Sequence, residues 1–195
     1  MPLRSCTIPT PLGEMLAVAS PAGLCLLEFV GQKGVERELA QVEAARGSLA
    51  QSGDSPILAQ TQAELAEYFA GQREQFAVPL DLVGTAFQMA AWQALLAIPH
   101  GQTRSYAQQA CAIGQPSATR AVAAANGANK VSIIVPCHRV IGKDKSLTGH
   151  GGGFDVKNIC SHTNSAPISK IYLLATAQGA LLDRHNKNFR SCNGT

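Results

Sequence analysis

The 195-residue sequence predicts an α+β protein, with a small N-terminal α/β domain at residues 1–80 and a mainly helical C-terminal domain at residues 84–183. Strand-like apolar runs near the start of the chain predict a β-hairpin, and helical periodicity follows them. The composition changes at Gly84, after which helical patterns predominate. A hydrophobic content of 46% with 15% charged residues is that of a globular protein and excludes a disordered or coiled-coil chain.

The N-terminal domain is predicted to pack two helices against the hairpin. A Ser-Pro-Ala-Gly turn signal separates the two strand-like runs, and Ser55 with Pro56 is typical of a helix N-terminus. Apolar side chains at helical spacing predict the intervening amphipathic helix. The expected elements, in chain order, are strands at 15–19 and 24–30, a helix at 32–46, a loop at 47–53 and a helix at 56–69.

The C-terminal domain is predicted to contain a helix pair around a glycine turn. Thr85 is a suitable N-cap for the first helix of this domain, and Trp92 is expected in the core. The later helix pair resembles a helix-turn-helix, although many packed helix pairs share this pattern. The expected elements are helices at 86–98, 105–112, 117–125 and 171–182, a turn at 114–116, an insertion at 158–170 and a polar tail at 184–195.

Charge is distributed unevenly along the chain. The net charge of +3 is too small to indicate a nucleic-acid partner by itself. All glutamates lie at or before Glu74, however, and basic residues predominate after it. The C-terminal half is therefore the candidate surface for a polyanion.

The six cysteines are scattered, without a Cys-x-x-Cys pair or a regular framework. We therefore expect reduced thiols in a cytoplasmic protein, with no metal site and no cofactor. A zinc site that uses Cys6, Cys25 and a histidine is not supported by any ligand spacing. No apolar run reaches the roughly 18 residues of a membrane span, so no membrane association is expected.

Residues 133–141 carry the strongest chemical motif in the sequence. A β-branched run, expected to be a strand, leads through Pro136 to Cys137, and His138 and Arg139 follow directly. A cysteine attacks as the thiolate, and a neighbouring base or positive charge favours its ionisation. An isolated cysteine beside a histidine is more often a buried structural residue, so the interpretation depends on the surrounding motifs.

Those motifs resemble, in order, the family of O6-alkylguanine-DNA alkyltransferases, also called methylated-DNA–protein-cysteine methyltransferases. The resemblance covers residues 5–157 and is carried by Gly84-Thr85-Ala86-Phe87-Gln88, Trp92, Ile98-Pro99-His100-Gly101, Ser105-Tyr106, Arg120-Ala121-Val122, Asn126-Gly127-Ala128-Asn129, Pro136-Cys137-His138-Arg139-Val140 and residues 149–153. It implies a ribonuclease-H-like sheet domain followed by a winged-helix-like DNA-binding domain. It also implies a cofactor-free, monomeric protein that flips an alkylated guanine, or O4-alkylthymine, out of double-stranded DNA and takes its alkyl group once, irreversibly.

The resemblance also implies roles for individual residues. Cys137 would be the nucleophile, His138 its base, Asn129 a link to the helix pair, and Tyr106 a group that helps to protonate the leaving base. Arg120 would fill the gap that the flipped base leaves in the stack. The residues expected to contact DNA are Arg120, Tyr106, Ala107, Gln115, Ser117, Thr119 and Lys143. Those expected to line the substrate pocket are His150, Gly151, Val135 and Pro136.

Two departures from the family pattern leave two functions open. Family members usually have tyrosine where His150 stands, and a glutamate that orients the histidine where Gln178 stands. Glutamine accepts a hydrogen bond from imidazole but does not stabilise imidazolium as an anion does. The sequence is thus compatible with a single-turnover alkyltransferase, or with a lesion-binding protein that transfers nothing. Retention of Cys137 favours the transferase.

Overall fold

The computed structural model of the protein describes residues 2–142, which form a four-stranded sheet with two helices, followed by a mainly helical part. This architecture confirms the predicted α+β class. No helix within this range is long and apolar enough to cross a bilayer. The elements are β1 Leu3–Thr10, β2 Gly13–Ser20, β3 Gly23–Phe29, α1 Val35–Arg46, β4 Ala50–Ser52, α2 Pro56–Phe69, α3 Ala86–Leu96, β5 Arg104–Ser105, α4 Tyr106–Ala112, α5 Thr119–Gly127, a 3₁₀ helix Cys137–Arg139 and β6 Val140–Ile141.

The main sheet has the strand order β3-β2-β1-β4. The predicted hairpin is confirmed as the antiparallel pair β2 and β3. The sequence-based expectation missed β1 and was wrong for residues 47–53, because β4 lies within that segment and pairs in parallel with β1. Both errors concern strands with mixed polar and apolar side chains, whose pairing partner is distant in sequence.

A β-bulge in β3 allows that strand to serve both faces of the sheet. Val18 pairs with Leu26 and Ala19 with Leu24, so Cys25 is the extra residue. Cys25 and Leu26 therefore pack on the α1 side, whereas Leu24 and Leu27 join the larger core on the α2 side. That larger core continues into the C-terminal part of the chain through side chains such as Trp92 and Val135.

The outer edge of β3 is covered by two segments that follow α2 in the chain. The Leu24 amide donates to the Pro79 carbonyl at 2.8 Å, and the Leu27 amide donates to the Lys130 carbonyl at 2.8 Å. Gly23 permits the first contact, because a Cβ there would lie 2.7 Å from the Pro79 oxygen. An otherwise open sheet edge is thereby paired, and the two parts of the chain are joined through main-chain hydrogen bonds.

The helices of the C-terminal part are fixed by buried side-chain hydrogen bonds. Thr85 and Gln88 form a capping box at the start of α3. The indole of Trp92, 1% exposed, donates to the Ala125 carbonyl of α5 at 2.9 Å. The side chains of Gln109 and Asn126 exchange hydrogen bonds of 3.0 and 2.7 Å between α4 and α5. These bonds set the geometry of the predicted helix pair on α3.

Candidate active site

The chain approaches Cys137 through a turn, and the strand expected there is wrong. Val131 makes an isolated bridge to Leu27, after which residues 132–135 turn. Ile133 has φ 71°, a left-handed conformation that is strongly disfavoured for a β-branched side chain. Tertiary contacts therefore override the local β-propensity of this run.

Asn129 holds the turn closed from the inside. Its side-chain Nδ2 donates to the Val135 carbonyl at 2.9 Å, and its Oδ1 accepts the Val131 amide at 3.0 Å. The residue is 6% exposed, so both bonds are shielded from water. The Val135 amide adds a hydrogen bond to the Val131 carbonyl at 3.0 Å. The predicted link between the helix pair and the cysteine thus consists of a side-chain amide clamped across residues 131–135.

Cys137 begins a single 3₁₀ turn, is partly exposed and is not part of a disulfide bond. Its amide donates to the Val135 carbonyl at 2.8 Å, and the Arg139 amide donates to the Pro136 carbonyl at 3.0 Å. His138 is buried directly beside it in the chain. Cys137 is the most exposed residue of this turn, because His138 and Arg139 are both buried.

Arg139 has a different position from the one expected. The sequence suggested that its charge would help to ionise the thiol, but its guanidinium is buried, and Nη1 donates to the Ile98 carbonyl at 2.7 Å. Tyr68 of α2 provides a second hydrogen-bond partner. Burial lowers the pKa of Arg139 from its usual value, and Tyr68 opposes that shift. Arg139 therefore anchors the turn to the end of α3 and to α2.

A short parallel pairing brings Tyr106 to the cysteine. Arg104 and Ser105 of β5 pair with the residues that follow the 3₁₀ turn, which places the start of α4 beside it. Burial, and to a smaller extent the negative charge of a Cys137 thiolate, raise the pKa of Tyr106 to about 12. The phenol consequently stays protonated at neutral pH, as a hydrogen-bond donor close to the thiol.

The residues expected to contact DNA lie around α4 and α5. Arg120 is exposed at the second position of α5, whose N-terminus has no side-chain cap, and Thr119 is partly buried. The exposed residues near it are Ala107, Gln115 and Ser117. An uncapped helix N-terminus leaves backbone amides free to bind phosphate. Lys143, His150, Gly151, Gln178, the insertion and the tail lie outside the described residues.

The two remaining pocket candidates directly precede Cys137 in the chain. Val135 is fully buried in the core, and Pro136 is buried next to it. Pro136 lines a cavity of about 370 Å³ together with Ile98 and Arg139. Within residues 2–142 the side chains of His, Cys, Asp and Glu form no group of three that could hold a metal ion.

Sequence reasoning missed a polar contact from the N-terminal sheet to this turn. The Ser132 hydroxyl donates to Glu28 Oε1 at 2.6 Å. Glu28 lies on β3 and is 2% exposed. The available signal was an acidic residue within an otherwise apolar strand, since a buried carboxyl group requires a partner.

Comparison with known proteins agrees with this geometry. Residues 3–82 match the family model for the 6-O-methylguanine DNA methyltransferase ribonuclease-like domain, and residues 86–163 match that for the DNA binding domain. The chain is 43% identical over 147 residues to a constitutive methylated-DNA–protein-cysteine methyltransferase of Bacillus subtilis, covering 75% of this chain and 85% of the relative. A Mycobacterium leprae protein of the same name is 43% identical over 149 residues, covering 76% and 84%.

Solved structures give the same result. The crystal structure of Mycobacterium tuberculosis OGT in complex with DNA superposes with a TM-score of 0.72 at 37% identity, covering 89% of this chain and 99% of that one. Family models matching both parts of the sequence and relatives of this identity and coverage lead to one conclusion: the chain belongs to the 6-O-methylguanine DNA methyltransferase family.

Proposed function

We propose that this protein repairs alkylated double-stranded DNA by moving the alkyl group from O6 of guanine, or O4 of thymine, to Sγ of Cys137. The observation that carries the proposal is the placement of a partly exposed thiol beside the Tyr106 phenol, at the start of a helix pair that presents Arg120 to solvent. The named relatives of the chain are methyltransferases, which favours transfer over the lesion-binding alternative.

The reaction balances without a cofactor. The Cys137 thiol gives its proton to His138 and attacks the alkyl carbon, so that a carbon–sulfur bond forms as the carbon–oxygen bond breaks. The electron pair of that bond leaves on guanine, and the proton that His138 took from the thiol is returned to the base through solvent, so that no proton is gained or lost overall. Tyr106 donates a hydrogen bond to the departing base. The products are unmodified guanine and a thioether. Because the thioether is stable, each molecule reacts once.

In this proposal, some DNA contacts fix the position of the protein and others help to flip the damaged nucleotide out of the duplex. An alkylated O6 lies within the base stack, so the nucleotide must be rotated out before the thiol can reach it. Arg120 enters the vacated space, while Gln115, Ser117 and Thr119 contact phosphates and fix the position of α5. Phosphate contacts make binding weaken as salt is raised and leave it independent of sequence.

The candidate residues all belong to one chain, and we infer that the protein acts as a monomer. The cysteines within residues 2–142, namely Cys6, Cys25, Cys111 and Cys137, form no disulfide bond, which suits a reducing compartment such as the cytoplasm.

The test is a single-turnover incubation with a duplex that contains one O6-methylguanine, followed by peptide mass spectrometry of the protein. We expect at most one methyl group per molecule, on the peptide carrying Cys137. Cys137→Ser should retain duplex binding without transfer, and Cys111→Ser, at an exposed thiol of α4, is the matched control and should react normally. An unmodified Cys137 in protein that binds the duplex would refute transfer and support the lesion-binding alternative.

A further inference from the structure

The turn that presents Cys137 is fixed to the edge of the N-terminal sheet. The Ser132 amide donates to the Leu27 carbonyl at 2.8 Å, and the Leu27 amide donates to the Lys130 carbonyl at 2.8 Å. Between these main-chain bonds, the Ser132 hydroxyl donates to Glu28 Oε1 at 2.6 Å, across a separation of 104 residues. Three hydrogen bonds from two consecutive residues of β3 therefore converge on the segment at 130–132.

This attachment lies next to the strained position of the turn. Ile133, with φ 71°, directly follows Ser132, and the Ile134 amide turns back to the Ser132 carbonyl at 2.8 Å. A β-branched residue holds a left-handed conformation only when its surroundings impose it. Asn129 restrains the turn on one side. On the other side, the N-terminal sheet restrains it through its hydrogen bonds with Ser132. Four residues further along is Pro136, and then the nucleophile.

Glu28 has the properties of a buried hydrogen-bonding residue rather than those of a surface charge. Burial raises its pKa to about 8, and the hydrogen bond from Ser132 opposes that shift. The carboxyl group is thus mainly neutral at neutral pH. Among the described residues, Glu38 of α1 is the charged group that acts on Glu28, and Lys130 and Arg37 in turn act on Glu38. A neutral acid of this kind can be replaced by glutamine without a change of charge.

We propose that Glu28 is a positioning residue for alkyl transfer: by holding Ser132, it fixes from the N-terminal sheet the strained turn that aims Cys137. The proposal rests on the transfer reaction proposed above. Glu28 acts through the backbone of residues 132–137 and does not touch the substrate. Loss of the link lets the turn relax and moves the thiol from the line of attack, which lowers the transfer rate without changing the DNA surface.

Three variants separate positioning from folding. Ser132→Ala and Glu28→Leu each remove the hydrogen bond, and we expect the single-turnover rate at saturating duplex to fall about fivefold to tenfold. Glu28→Leu also removes a buried acid, so its resistance to urea should equal or exceed that of the wild type. Glu28→Gln retains an acceptor for Ser132 and should restore the rate to within about twofold of the wild type. The dissociation constant for the duplex should be unchanged in all three.

Hydrogen exchange of residues 131–139 provides a readout that needs no DNA. Exchange should be faster in Ser132→Ala and Glu28→Leu and normal in Glu28→Gln. Thr61→Val is the matched control, because Thr61 is fully buried in α2 and its hydroxyl donates to the Ile57 carbonyl at 2.7 Å. That variant loses a buried hydroxyl bond elsewhere in the same domain, and it should leave both the rate and the exchange of the turn unaltered.

Rescue by glutamine is the signature that a purely structural role does not give, because glutamine keeps the acceptor for Ser132. Wild-type rates in Ser132→Ala and Glu28→Leu, or a Glu28→Gln variant as slow as Glu28→Leu, would overturn the proposal. A wild-type protein that leaves the methylated duplex unrepaired would instead refute the transfer function, and the exchange data would then still decide whether Glu28 holds the turn.

Discussion

Asn129→Ala is the substitution whose effect follows most directly from the site geometry. Truncation removes the donor to the Val135 carbonyl, at 2.9 Å, and the acceptor of the Val131 amide, at 3.0 Å. Both backbone groups lie in buried residues, and the Val135 carbonyl keeps a second hydrogen bond, from the Cys137 amide at 2.8 Å. The substitution therefore leaves the Val131 amide without its acceptor and removes one of two donors to the Val135 carbonyl, within the turn that carries Cys137.

The expected cost can be worked out from these two losses. Leaving the buried Val131 amide unpaired costs about 1–3 kcal/mol, and losing one of the two hydrogen bonds to the Val135 carbonyl costs about 0.5–1.5 kcal/mol, so the free energy of unfolding should fall by about 2–4 kcal/mol. That is a substantial share of the roughly 5–15 kcal/mol that stabilises a typical domain. The transfer rate should fall more than about tenfold, because the restraint on the strained turn is lost.

Urea denaturation and single-turnover transfer at saturating duplex would measure the two effects. Asn126→Ala is the matched control: Asn126 is also buried, and it exchanges hydrogen bonds with Gln109 between α4 and α5. We expect a comparable loss of stability there with a much smaller change in rate. Asn129→Asp keeps the acceptor for the Val131 amide but opposes the Val135 carbonyl with an oxygen, so it should be nearly as slow as alanine. Equal rates for Asn129→Ala and Asn126→Ala would refute the reasoning.

Three further outcomes are expected. Arg120→Ala, at an exposed position, should change the free energy of unfolding by less than about 0.5 kcal/mol. In competition measurements it should weaken binding to a duplex with a lesion more than binding to an undamaged duplex. Equal weakening of both would contradict the role of Arg120 in filling the space left by the flipped base. The pKa of Glu28 is raised from 4.5 to about 8, so between these pH values the native protein keeps a proton that the unfolded chain has lost, and the free energy of unfolding falls as pH rises. In urea titrations, Glu28→Gln should therefore gain about 4 kcal/mol over the wild type between pH 4.5 and pH 8. Unfolding free energies of variant and wild type that change with pH in the same way would count against a buried acid. Burial raises the pKa of Glu64, but hydrogen bonds from Gln60 and the Ala77 and Val78 amides lower it overall, so the carboxylate stabilises the fold above pH 4.5 and this stabilisation is lost as acid protonates it. Glu64→Gln should be less stable than the wild type at neutral pH and equally stable in acid. A stability difference that persists in acid would show that it does not come from ionised Glu64.

Local chemistry in the sequence predicted most elements of the fold. The hairpin follows from a turn signal between apolar runs, and α2 and α3 begin at their predicted caps, Ser55 and Thr85. What could not be predicted depends on distant partners. The strand β4 exists because β1 lies beside it, and the run at 131–135 turns because Asn129 and the edge of β3 hold it.

In the candidate site, likewise, some features could be predicted from the sequence and others depend on distant partners. Cys137, Tyr106 and Arg120 were predicted from motifs, and the structure places the first two together and the third on an exposed helix start. The structural role of Arg139 was not predicted, since only the fold brings the Ile98 carbonyl within 2.7 Å of it. The link from Glu28 to Ser132 spans 104 residues and has no sequence motif.

The covered edge of β3 also determines when the molecule can finish folding during its synthesis. A ribosome delivers the hairpin early, yet the residues that pair with its outer edge, at 79–81 and 130–132, emerge much later. Contacts of such high sequence separation form slowly, and until they form the nascent chain carries an open strand that neighbouring chains can extend. Completion of the turn that carries Cys137 and protection of the growing chain from aggregation are thus one event, reached only when residues 130–132 have been translated.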